Sequence, residues 1–119
     1  MILPDILVEM APLKRSIFHL DGPQALRHLD LLLELPQLDA VQWVFGSGHG
    51  PASKWIDVYR RIAAAGKSVQ ILAESAADAL AVLDELGPKG LWLYISESFA
   101  TRREALAFLA AVEQRSRRR

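Results

Sequence analysis

His19 and Asp21 stand two positions apart at the end of a β-prone run, Ser16-Ile17-Phe18-His19-Leu20. Residues i and i+2 of an extended strand share a side, so the imidazole and the carboxylate point the same way. Such a pair is suited to binding a divalent metal such as zinc, to general acid/base exchange, or to hydrogen-bonding a substrate. Two donors do not specify a metal, and Asp21 has a second reading as an Asx-turn into Gly22-Pro23. Glu74 ends a later strand and completes the set of catalytic candidates, His19, Asp21 and Glu74.

A second group has the character of ligand contacts. The loop Gly46-Ser47-Gly48-His49-Gly50-Pro51 lets backbone N–H groups approach an anion at the start of the next helix, with Gly46 and Gly48 supplying the close approach. It lacks the Lys-Ser/Thr of a P-loop and the full dinucleotide fingerprint, so a flexible loop is the other reading. His49 is its one residue that titrates near neutrality. Inside otherwise apolar strands sit Gln42, Gln70 and Tyr94, with Trp43 beside the first. Glu97 follows the fourth strand between Ser96 and Ser98, and also suits an exposed place near a helix N-terminus. Neither a Ser-His-Asp spacing nor a His-Glu-x-x-His helix occurs, so hydrolase templates gain no support.

The elements that must position these residues repeat. Strands are predicted at residues 16–20, 40–45, 68–73 and 91–95, each followed by a segment with apolar residues at helical spacing. The first long helix runs from Gln24 to Leu35 and stops at Pro36; the second spans Ser53 to Ala65 with Gly66 as its C-cap. Ser75 caps the third, which Gly87-Pro88 terminates, and Thr101-Arg102-Arg103-Glu104 is a capping box for the fourth, which ends near Arg115. A short lead-in helix is expected over Pro4 to Leu13 within residues 1–14, and residues 116–119 read as a solvated basic tail. The whole is one domain of 119 residues, with four βα units over residues 15–115.

Strands alternating with helices imply parallel pairing. Units of about 30 residues are half of what a closed barrel of about 250 residues contains, so the expected fold is α/β, half of a TIM-type barrel. Such a layer leaves one face and two edges bare. It is completed by a second copy in a homodimer, by a chain supplying an N-terminal half-barrel, or by helices divided between both faces. The polar strand residues favour the barrel, because a water-filled pocket accommodates them.

Fourteen basic and fourteen acidic residues cancel, so no global field recruits nucleic acid or an anionic membrane. Cysteine is absent, which removes disulfides and thiolate nucleophiles. No apolar run reaches the roughly 18 residues of a membrane span, and a cytoplasmic location is expected.

Several stretches together resemble the uroporphyrinogen decarboxylase superfamily, which includes the corrinoid and coenzyme M methyltransferases. They are Phe18-His19-Leu20-Asp21-Gly22-Pro23, Leu38-Asp39-Ala40-Val41-Gln42-Trp43-Val44, Ala65-Gly66-Lys67 and Leu86-Gly87-Pro88-Lys89-Gly90. The resemblance covers nearly the whole chain from about Arg15 and matches the four C-terminal units of that barrel. It implies a ligand site at the carboxyl ends of the strands for a tetrapyrrole, a corrinoid or a small carboxylate, and lyase or methyltransferase activity only in a completed barrel. Methyltransferase members bind zinc through a His-x-Cys pair and a later Cys; here His19 matches the histidine and Asp21 takes the first cysteine's place. The decarboxylases' substrate-clamping arginines and catalytic aspartate lie in the part of the barrel with no counterpart here. The chain is therefore expected to be a fragment of a longer enzyme or a natural half-barrel, with a non-catalytic assembly module as the alternative.

Overall fold

Valine, isoleucine and tryptophan at every second position make Ala40–Val44 and Ser68–Ala73 strands, because branched and aromatic side chains pack well on a pleated surface. In the computed structural model, which describes residues 15–117, these two form the centre of a four-stranded sheet. The strands are β1 (Ile17–Asp21), β2 (Ala40–Val44), β3 (Ser68–Ala73) and β4 (Leu91–Ile95), paired in that order and all parallel. The helices between and after them are α1 (Leu29–Leu33), α2 (Ile56–Ala64), α3 (Ala76–Leu86) and α4 (Arg102–Arg117). The protein is thus α/β, with a strand-helix unit repeated along the chain. The expected lead-in helix and the last two arginines lie outside the described residues.

Two expected helices are shorter than their hydrophobic spacing suggested. Instead of one helix from Gln24 to Leu35, Pro23–His28 forms a 3-10 turn that runs into the five-residue α1. The cause is local: Pro23 has no N–H to give, no side chain caps the start, and the 3-10 part buries no residue, whereas Leu29 and Leu32 anchor α1. Likewise Ala52–Trp55 is a 3-10 turn leading into α2. In the other direction, α4 continues to Arg117, held by ion pairs from Arg115 to Asp84 and from Arg117 to Glu113.

Consecutive parallel neighbours joined by right-handed crossovers carry their helices on one side of the sheet. The burial follows that rule. Leu20, Val41, Trp43, Val69, Ile71 and Ala73, which alternate along three strands, are buried with Leu29, Leu32, Tyr59, Ile62, Ala79 and Val82 from the helical layer. Trp43 is fully buried and meets Trp55 edge-on at 5.2 Å between ring centroids.

Capping then fixes where the helices start. Ser75 Oγ accepts from Asp78 N at 3.1 Å, as its place in the sequence suggested, and Thr101 Oγ1 accepts from Glu104 N at 3.1 Å. A second device links neighbouring units. The Asp78 carboxylate accepts from Ser53 N at 3.3 Å, and Glu97 Oε1 accepts from Ala76 N at 2.7 Å. Each carboxylate comes from one unit and satisfies an orphan donor at the helix start of the unit before it. No helix of the described residues is long and apolar enough to cross a membrane.

Candidate functional site

The parallel register places His19 beside Gln42, Gln42 beside Gln70, and Gln70 beside Trp92. All four project from the side of the sheet opposite the helices, since their neighbours Leu20, Val41, Trp43, Val69 and Ile71 are buried on the helical side. The next row on this bare side joins Asp21 to Val44 across the β1–β2 pair and Leu72 to Tyr94 across the β3–β4 pair. No described residue covers these rows: Trp92 is 61% exposed and Tyr94 55%.

Hydrogen bonds run along the first row. His19 Nδ1 donates to Gln42 Oε1, and Gln42 Nε2 donates to Gln70 Oε1 at 3.0 Å. The direction of this chain has two chemical consequences. At the β1 end, with Nδ1 engaged by Gln42, Nε2 is the ring nitrogen that faces Asp21 Oδ2, at 3.7 Å. At the β4 end the Gln70 amide retains N–H donors beside the exposed ring of Trp92. A strand spacing of about 4.8 Å separates the two ends by about 10 Å.

At the carboxyl ends of β2, β3 and β4 lies a hollow of about 250 Å³ lined by Phe45, Gly46, Ser47, Glu74, Tyr94 and Ser96, among others. Glu74 and Tyr94 both line it. A second hollow is lined by Asp21, Gly22, Pro23, Gln24 and His49. The glycine-rich loop contributes to both. Gly46 and Gly48 take φ of 87° and 81°, a region that disfavours other residues, and a Cβ on Gly50 would sit 2.9 Å from the Phe45 ring and 3.1 Å from Glu74 Oε1.

Three candidates are placed elsewhere than expected. Trp43 faces the helices from within the core, because it is one position from Gln42 and alternation turns it to the other side. Glu97 is taken up as the cap on α3 and not on α4. The anion-binding role assigned to the glycine-rich loop meets a carboxylate already in position: Asp78 occupies the donor at Ser53, and Trp55 Nε1 donates to the His49 carbonyl at 2.8 Å. Trp92 was missed by sequence reasoning, although it stands two residues before Tyr94 and period-two alternation puts both on one face.

Among the described residues no group of three or more His, Asp or Glu side chains is arranged to hold a metal ion. His19 and Asp21 by themselves do not fit a zinc centre, which takes four ligands in a structural site and three in a catalytic one. A corrin or porphyrin ring does not fit the strand-end hollow either. Its volume of about 250 Å³ is below the roughly 300–1,000 Å³ of drug-sized ligand pockets. No protein family, curated protein or solved structure matches this chain.

Proposed function

We propose that this chain is a half-barrel of the uroporphyrinogen decarboxylase type that binds a small carbonyl- or carboxylate-bearing molecule on its bare sheet face. The reading is carried by the directed row His19–Gln42–Gln70. An amide chain of this kind on an uncovered sheet offers a base at one end and donors at the other. A ligand oxygen accepts from Gln70, its planar apolar body lies against Trp92 and Tyr94, and its proton-bearing group approaches His19 Nε2, with Asp21 stabilising the imidazolium that forms. Glu74 at the strand-end hollow is the second acid/base group. Turnover requires a closed chamber, because an open face leaves the reacting groups in bulk water and their electrostatics weak.

The test is calorimetric titration of the purified chain with small planar carboxylic acids. Binding is expected, and Gln70→Ala and His19→Ala are expected to weaken it without changing the circular dichroism spectrum. No heat from these acids, or binding indifferent to both substitutions, removes this reading. A second reading, a non-catalytic assembly module, draws on the incomplete donor set around His19 and Asp21.

A further inference from the structure

The two edges of the sheet, β1 and β4, pair with no further strand among the described residues and carry matching apolar features. On α1, Leu29 and Leu32 define the buried direction; at about 100° per residue, Asp30 and Leu31 lie about 130° to either side of it. Asp30 reaches Arg61 of α2, so Leu31 turns away from α2, toward the β1 edge, and is 40% exposed. On α4, Arg115 reaches Asp84 of α3. Leu106 and Leu109 lie about 180° and 120° around the helix from Arg115, on its outer side beyond the β4 edge. They are 51% and 60% exposed. The β4 side chains that face the helices, Leu91, Leu93 and Ile95, are only half-buried, whereas Val41, Val69 and Ile71 on the inner strands are buried. Among the described residues the sheet thus lacks a neighbour on the outer side of β4.

We infer that a second copy of this chain supplies that neighbour, with β1 of each copy alongside β4 of the other and Leu31 against Leu106 and Leu109. The inference rests on the reading that the bare face is covered. A β1 strand fits because it continues the observed parallel order and brings its own leucine-bearing helix to the correct side. Equal numbers of acidic and basic residues leave no net repulsion between copies. A contact between unlike edges ordinarily propagates into an open chain of subunits, but four strands from each copy complete the eight of a closed barrel and end the series at two. The bare faces of the two copies, each with its own His19–Gln42–Gln70 row, then turn toward one interior.

The absence of cysteine makes the arrangement directly testable. The double variant L31C/L109C, oxidised at micromolar concentration, is expected to give a covalent species of two copies linked 31 to 109, while L31C and L109C alone give none. Sedimentation of the unmodified chain is expected to show a species of two copies. L106R/L109R is expected to weaken association on the order of a hundredfold, with an unchanged circular dichroism spectrum. A monomer in sedimentation, equal cross-linking by the single variants, or a ladder of larger species overturns the inference. A dimer that binds none of the titrated carboxylates refutes the ligand reading alone, and a monomer that binds them refutes the second copy alone.

Discussion

Trp43 on β2 and Trp92 on β4 belong to one sheet, yet the first is fully covered by helices and the second is 61% exposed. The same contrast holds along each strand: Val41 and Val69 are buried, while Gln42 and Gln70, one position on, carry the hydrogen-bonded row. One side of the sheet is therefore a packed core and the other is a polar-and-aromatic surface. Parallel sheets are ordinarily covered on both sides, and the alternation on β2 and β3 is more typical of strands with one solvated face.

That contrast is most sharply broken by truncating the two tryptophans. Trp43→Ala is expected to lower stability by about 3–5 kcal/mol, because it opens a cavity under the helical layer. Trp92→Ala, measured in urea on the dispersed chain, is expected to cost under about 1 kcal/mol, since it removes side chain from water. Equal losses would mean that the second face is packed within a single copy.

Next in size is the cap of α3. Ser75→Ala removes the acceptor for Asp78 N and is expected to cost about 1 kcal/mol in denaturant unfolding.

Smaller still is the effect of Tyr59→Phe. Tyr59 is fully buried, and among the described residues its hydroxyl has no hydrogen-bond partner, as is also true of Trp43 Nε1. Deleting that oxygen is expected to change stability by less than about 1 kcal/mol, in the stabilising direction. Burial, followed by the nearby Asp78 carboxylate, pushes the Tyr59 phenol well above its ordinary value near 10.0. The folded chain holds this proton more tightly than the unfolded one. Its contribution is fully present below pH 10 and declines as pH rises beyond it, because the unfolded phenol ionises first. Tyr59→Phe should flatten that alkaline decline, and an unchanged profile would show that another group causes it.

The smallest expected effect belongs to the bare face. Gln70→Ala is expected to shift the unfolding midpoint by no more than about 0.5 kcal/mol equivalent while reducing ligand affinity. A larger loss of stability would place Gln70 in the packed part of the fold.

Much of the architecture was legible in the residues. The bounds of β3 and β4, the Ser75 cap and the Thr101–Glu104 capping box lie where alternation and cap chemistry placed them. Each depends on residues within a few positions of one another. The first helix was misjudged because leucine spacing persists through Pro23–His28 even though nothing caps that segment or buries it. Trp43 was counted with Gln42 among the ligand contacts, whereas alternation along the strand turns it to the buried side. The fate of the glycine-rich loop was not legible. Its helix start is satisfied by Asp78, which is 25 residues away from Ser53, and no local pattern announces such a contact.

By itself, the order of residues determined the α/β class and the repeated strand-helix unit, because hydrophobic period and capping act over a few residues. Tertiary structure alone decided that His19, Gln42 and Gln70 form one directed chain and that Asp78 and Glu97 serve as caps on preceding units. It also decided that Leu31, Leu106 and Leu109 remain outside the core. Register between strands more than twenty residues apart, and the side of a helix left without a neighbour, arise from packing the units together.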